Sequence, residues 1–238
     1  MPGTLFLLPT RLGETGDWPG ILPAHTRETA CRLRHFIVED AKTARGDLKW
    51  LGHPGPLREL AIEALPAAPG AEDFERLLVP LRENQDVGLM SEAGCPGVAD
   101  PGAALVRRAH ALGISVRPLV GPSSLLLALM ASGLEGQRFA FHGYLPARDP
   151  ERGQRIVALE RESRQKRQTQ LFIETPYRNT AMLDALLTHC QPTTLLCIAT
   201  ELTQPGESIL TRSIAAWRQA TRSDLNRRPT VYLLLSAD

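Results

Sequence analysis

The sequence predicts two α/β domains, and three observations carry that expectation. Short apolar runs alternate with amphipathic or polar runs along the whole chain, as in parallel βαβ units. A wide turn, Ser91–Gly102 (SEAGCPGVADPG), joins a strand-like run, Asp86–Ser91, to a helix-like run, Ala103–Leu112. Val120-Gly-Pro-Ser-Ser124 then interrupts the rhythm before it resumes, which sets the expected boundary: residues 1–119 in one domain and 120–238 in the other. A cleft between two such domains is the natural place for a ligand.

Strands of the first half are expected at Thr4–Leu8, Phe36–Glu39, Val87–Ser91 and Ser115–Leu119, with helices at Thr26–Arg34, Gly70–Glu83 and Ala103–Leu112. The stretch Gly52–Pro69 is irregular and rich in proline and alanine, with room for a short helix at Arg58–Leu65. After the punctuation come an apolar helix, Ser124–Ala131, a strand at Phe139–Tyr144 and a polar helix from Asp149 to Gln168. A strand at Gln170–Glu174, a helix at Arg178–Leu187 and a strand at Thr194–Glu201 follow. A helix near Ser213–Ala220 and a strand at Thr230–Leu235 complete the pattern.

At 238 residues, 43% hydrophobic and 22% charged, the chain is long enough for substantial cores. A net charge of +1 gives no global field toward nucleic acid or membrane. The four cysteines, Cys31, Cys95, Cys190 and Cys197, form no CxxC pair, so neither a zinc site nor a disulfide framework is suggested. No apolar run approaches the roughly 20 residues of a membrane span. The opening segment lacks the basic region of a signal peptide, and a cytoplasmic protein is expected.

Three glycines in the Ser91–Gly102 turn would let a ligand approach bare main chain, with Asp100-Pro101 supplying an N-cap and a first-turn proline. The alternative is a tight connection that binds nothing. Arg148–Arg167 carries seven basic residues among four acidic ones, either a solvated helix or a phosphate-facing edge. His110, His142 and His189 stand apart from one another, and packed or surface roles are expected for them. No GxGxxG follows a strand, which argues against a nicotinamide dehydrogenase.

Seven blocks in order make the chain resemble the tetrapyrrole methylase superfamily of S-adenosylmethionine-dependent methyltransferases. They are Leu5–Thr10 with Gly13, Phe36–Asp40, Ser91–Gly102, Pro118–Ser124 with Ala131–Gly133, Phe141–Pro146, Phe172–Arg178 and Thr200–Thr203. Within the superfamily the branch that it is most similar to methylates a cytidine 2′-hydroxyl of small-subunit ribosomal RNA. The resemblance implies a homodimer of two-domain subunits with the cofactor in the cleft. The cofactor would meet Pro9, Glu92, Ala93, Gly94, Val98, Ser123, Ser124 and the main chain near Glu174. The chain departs from the branch pattern at Arg11, Glu92 and Cys95, after Asp40, and across Gly52–Pro69. The cofactor half is thus retained and the acceptor half altered.

A ribose hydroxyl needs its proton removed. Glu39 and Asp40 end a strand, where a carboxylate either faces the cleft as a base or caps the next helix. Lys42 lies just beyond as a candidate acceptor contact. Arg178 either holds an acceptor phosphate or forms an ion pair. Three functions stay open: methylation of RNA or a ribosome-associated nucleotide, methylation of a small heterocycle, and a cofactor-binding module without catalysis.

Overall fold

The computed structural model describes residues 2–221 and 224–236. The chain divides into two units between Ser123 and Ser124. The first unit contains β1 (Thr4–Leu8), α1 (Trp18–Ile21), α2 (Ala24–Arg32), β2 (His35–Val38), α3 (Ala41–Trp50), β3 (Ala61–Ala64), α4 (Ala71–Leu77), α5 (Val79–Arg82), β4 (Val87–Met90), α6 (Gly102–Ala111) and β5 (Ser115–Pro118). Its five strands lie in the order β3-β2-β4-β1-β5, and every pairing is parallel.

The central strands are apolar on both faces because helices cover both faces. Phe6, Leu8, Phe36, Val38 and Met90 pack with Leu33 and Leu48 on the side of α2 and α3. Leu5, Ile37, Val87 and Leu89 pack with Leu77, Leu81 and Leu105 on the side of α4 to α6. Fully burying such side chains stabilises the unit by roughly 1.5–3 kcal/mol each.

The strand order places the glycine loop. The chain leaves β1 and β2 on the face of α2 and α3, whereas it leaves β4, which lies between them, on the opposite face. Where neighbouring connections diverge in this way, a crevice opens at the carboxyl ends of the strands. The loop Ser91–Gly102 starts there.

The second unit contains α7 (Ser124–Ser132), β6 (Phe139–Tyr144), α8 (Glu151–Lys166), β7 (Thr169–Glu174), α9 (Asn179–His189), β8 (Leu195–Thr200), β9 (Ser208–Ser213), α10 (Ile214–Gln219) and β10 (Thr230–Leu235). Its sheet, ordered β6-β7-β10-β8-β9, is mixed: β6 and β7 run parallel and the other neighbours antiparallel. Phe172, Leu196, Ile198, Tyr232 and Leu234 form a core with Ile156, Leu159, Met182 and Leu186, while α7 lies against β8, β9 and β10. Among the described residues no helix is long and apolar enough to cross a membrane.

Two sequence expectations are corrected, and two elements lay outside them. The helix expected at Arg58–Leu65 is a single 3₁₀ turn, Leu57–Glu59, followed by β3. That strand sits at the sheet edge and is half exposed, so its sequence, AIEA, lacks the apolar signature of its neighbours. The helix expected at Gly70–Glu83 divides at Leu78 into α4 and α5, because Pro80 has no N–H to continue the ladder. The strand β9 went unanticipated, since SILTRS is another partly exposed edge. Asp17-Trp-Pro-Gly also forms an unexpected turn of helix, α1.

Candidate cofactor loop and strand-end carboxylates

The loop Ser91–Gly102 is folded by its own polar groups and by the ends of β1 and β2. The Ser91 hydroxyl donates to the Gly94 carbonyl at 3.2 Å, and the Thr10 N–H donates to the same carbonyl at 2.9 Å. Gly94 has φ +77°, which glycine adopts without steric cost. A Cβ there would meet Leu12 Cδ2 at 3.2 Å and the Pro122 carbonyl oxygen at 3.6 Å. Pro9 faces a still closer neighbour: a Cβ on Gly121 would lie 2.2 Å from Pro9 Cβ. Cys95 Sγ donates to the Pro122 carbonyl at 3.4 Å, and burial pushes its thiol pKa up.

Asp100 closes the far side of the loop. Its Oδ1 accepts from the N–H groups of Gly97 and Gly102, both at 2.7 Å, so it does serve the start of α6 while Pro101 occupies the N-cap. Burial raises the Asp100 pKa above the ordinary carboxylate value despite these donors, and the charge of Glu39 adds to the rise. Both carboxylates line one open depression with Leu65, Ala67, Ala99 and Pro101.

Glu39 Oε2 accepts the Glu92 N–H at 3.0 Å, a link across 53 residues that ties the end of β2 to the glycine loop. Asp40 caps α3: its Oδ1 accepts from Thr43 N–H at 2.7 Å and Thr43 Oγ1 at 2.8 Å, which holds its pKa below the ordinary value. Of the two sequence alternatives for this pair, Asp40 takes the cap. Lys42 is exposed in the first turn of α3, with no ion pair among the described residues.

The loop also keeps donors to spare. Among the described residues, the N–H groups of Ala93, Gly94 and Cys95 have no acceptor in the protein, while Val98, half exposed, turns its N–H back to the Cys95 carbonyl at 3.2 Å. Ser123, part-buried, ends the first unit, and its hydroxyl has no partner among the described residues. The structure therefore gathers Pro9, Glu39, Glu92, Ala93, Gly94 and Val98 around the carboxyl ends of one sheet. Backbone donors and a small hydroxyl suit a ligand bearing a carboxylate and an adenosine, so these residues fit S-adenosylmethionine. Among the described residues no group of three or more His, Cys, Asp or Glu is placed to hold a metal ion.

Sequence reasoning missed a second support of this region. Arg11 Nε donates to Asp47 Oδ1 at 2.7 Å, its guanidinium lies 5.3 Å over the Trp50 ring, and Trp50 Nε1 donates to the Gly16 carbonyl at 2.8 Å. These contacts fasten the segment after β1 onto α3. Burial raises the Asp47 pKa even beside Arg11. The partners are 36 residues apart and carry no local signal.

The remaining candidates lie in the second unit. Ser124 opens α7. The Glu174 side chain is fully buried at the end of β7, and its Oε1 accepts from Arg178 Nε at 2.9 Å and Nη2 at 2.6 Å and from the Thr175 N–H at 2.6 Å. Arg178 is thus held in an ion pair, the second of its two sequence alternatives. In α8, Arg152 pairs with Asp149, Lys166 pairs with Glu162, and Arg155 reaches His142 Nδ1 at 3.1 Å. The other nitrogen of His142 meets Gln170 Oε1 at 2.6 Å, and the His189 ring packs under Gly153. The helix thus holds Arg152 and Lys166 in ion pairs and Arg155 on His142, and it buries Ile156 and Leu159 on its core face.

The sequence profile of the Tetrapyrrole (Corrin/Porphyrin) Methylases matches residues 32–216. The chain is 34% identical over 236 residues to the Ribosomal RNA small subunit methyltransferase I of Xylella fastidiosa (strain Temecula1), covering 98% of this chain and 81% of that protein. It is 33% identical over 235 residues to the protein of the same name from Pseudomonas aeruginosa, covering 99% and 79%. Its fold is similar to the crystal structure of the methyltransferase CobJ, with a TM-score of 0.64, 19% identity and coverage of 100% and 95%.

Proposed function

We propose that this chain, which belongs to the tetrapyrrole methylase family and is an S-adenosylmethionine-dependent methyltransferase, methylates RNA of the small ribosomal subunit. The observation that carries the RNA acceptor is similarity at 33–34% identity, over nearly the whole chain, to proteins named for that substrate. The cofactor supplies an electrophilic methyl group. In this reading its polar ends are held by the N–H groups of Ala93 and Gly94, by the main chain at Pro9, Glu92 and Val98, and by the Ser123 hydroxyl.

Glu39, Asp40 and Asp100 all accept main-chain N–H groups. They are read here as groups that hold the strand ends in shape, with catalysis resting on in-line positioning of acceptor and methyl. A homodimer and a cytoplasmic location belong to the same reading and rest on the family resemblance. Light scattering at micromolar concentration should give about twice the 26.1 kDa chain mass; a monomer mass would contradict the dimer.

The test is transfer of label from methyl-labelled S-adenosylmethionine to isolated small ribosomal subunits, whole-cell RNA and a small-metabolite extract. Label is expected in the small-subunit RNA. Label confined to the metabolite fraction would contradict the RNA reading. Cofactor binding by calorimetry with label in no fraction would favour a binding module instead.

A further inference from the structure

We propose that Tyr177 and Arg227, at the end of the second sheet, form a platform for single-stranded RNA, with the tyrosine ring stacking on a base and the arginine meeting an adjoining phosphate. The inference rests on the RNA reading above and gives it a surface.

Tyr177 lies in the 3₁₀ turn Pro176–Arg178 between β7 and α9. It is 76% exposed, an unusual place for so large a ring. The Arg227 N–H donates to the Pro176 carbonyl at 3.1 Å, which seats Arg227 against the turn that bears Tyr177. Arg227 is exposed and has φ +61°, a conformation that costs a non-glycine residue energy unless its surroundings impose it.

The surroundings do impose it. Asn179 is completely buried, and its Nδ2 donates to the carbonyls of Leu225 at 3.3 Å and Arg228 at 2.7 Å and to Thr230 Oγ1 at 3.2 Å. The Tyr232 hydroxyl donates to Asn179 Oδ1 at 3.2 Å, and Leu225 is anchored in the core. A buried amide thus grips both sides of an arginine that itself points away from the core. This fixes a loop whose exposed residue would otherwise be free to relax.

Charge separates Arg227 from its neighbours. Arg178 is bound to Glu174, and Arg228 to Glu201 at 2.7 Å and to the Gly206 carbonyl at 2.5 Å. Arg227 has no carboxylate partner among the described residues. Asp224, the acidic residue of its own loop, accepts the Asn226 N–H through Oδ1 at 2.9 Å. An exposed aromatic ring on a turn hydrogen-bonded to a backbone-fixed arginine, which has no carboxylate partner among the described residues, supplies the two groups with which proteins hold single strands without reading their sequence.

Fluorescence anisotropy of a labelled single-stranded RNA oligonucleotide, measured with the full chain over a potassium chloride series, tests the platform. Tyr177→Ala should weaken RNA binding roughly 5- to 150-fold, the span of one base–aromatic stack, while Tyr177→Phe retains it. Arg227→Gly keeps the left-handed backbone and should lower the slope of log affinity against log salt by about one, while Arg227→Lys keeps the slope. Calorimetric affinity for S-adenosylmethionine should be the same in all four variants. Unchanged RNA affinity and salt slope in Tyr177→Ala and Arg227→Gly would overturn the platform alone. Absence of RNA binding by the unaltered chain would overturn the platform together with the RNA reading.

Discussion

The first sheet ends in a loop with main-chain donors to spare, whereas the second ends in carboxylates locked to arginines, although the same α/β rhythm builds both units. In the all-parallel sheet the carboxyl ends of β1, β2 and β4 share one edge, and the connections diverge around β4. A crevice lined by backbone follows from that order. In the mixed sheet β10 runs antiparallel to both β7 and β8, so the ends of β7 and β8 meet the start of β10. That edge is closed by Glu174 with Arg178 and by Glu201 with Arg228. The difference teaches that strand direction, more than composition, decides which unit can offer bare backbone to a cofactor.

The sharpest way to break the second edge alone is Arg178→Ala. It leaves the fully buried Glu174 carboxylate without its cation. The expected loss is about 3 kcal/mol of stability, the lower end for a broken buried pair because Arg178 itself is part exposed. Denaturant titration would read the loss, while affinity for S-adenosylmethionine, corrected for the folded fraction, should stay near that of the unaltered chain. A large loss of affinity with little loss of stability would show that the two edges do not have separate roles.

The complementary variant is Gly94→Val. A β-branched residue at φ +77° is strained by about 1–3 kcal/mol, and its Cβ presses on Leu12. The strain should appear as about 1–3 kcal/mol of stability lost in denaturant titration, with a fall in calorimetric cofactor affinity beside it. Gly121→Ala acts on the same loop from the other side, because the rigid Pro9 ring must move to admit the new methyl group. Overpacking of this kind costs about 1–3 kcal/mol, and both the thermal midpoint and cofactor affinity should fall.

The smallest effect separates two carboxylates of the first unit by pH. Asp100 has a raised pKa, so the folded state holds its proton to a higher pH than the unfolded chain does. Stability from this group is greatest below the ordinary aspartate pKa and declines as pH rises from there through the raised value. Asp100→Asn keeps an acceptor for Gly97 and Gly102 and should flatten that decline in a series of thermal midpoints. Asp40 acts in the opposite sense: with its pKa lowered by Thr43, its contribution is present above the ordinary value and is lost as pH falls through the lowered one. An unchanged profile in Asp100→Asn would place the titration elsewhere.

The sequence made legible what local pattern controls. The strands β1, β2 and β4 are continuous apolar runs because they are buried on both faces, and the glycine loop announces itself by composition. The edge strands β3 and β9 stayed hidden because half-exposed edges carry mixed residues. Of the site, the sequence offered Arg178 an ion pair without indicating its partner, which the fold shows to be the buried Glu174. The Glu39 link to Glu92, the Arg11 pair with Asp47 and the Asn179 clamp join residues 36 to 53 positions apart, and only the fold brings them together.

Hydrogen exchange of the loop amides with and without saturating S-adenosylhomocysteine bears most directly on the central assignment of the cofactor to the glycine loop. The N–H groups of Ala93, Gly94 and Cys95 have no protein acceptor among the described residues, so they should exchange readily in the free protein. Bound ligand should slow them well beyond any change at residues 151–166 of the second unit. Saturation with no slowing at 93–95 would contradict the assignment.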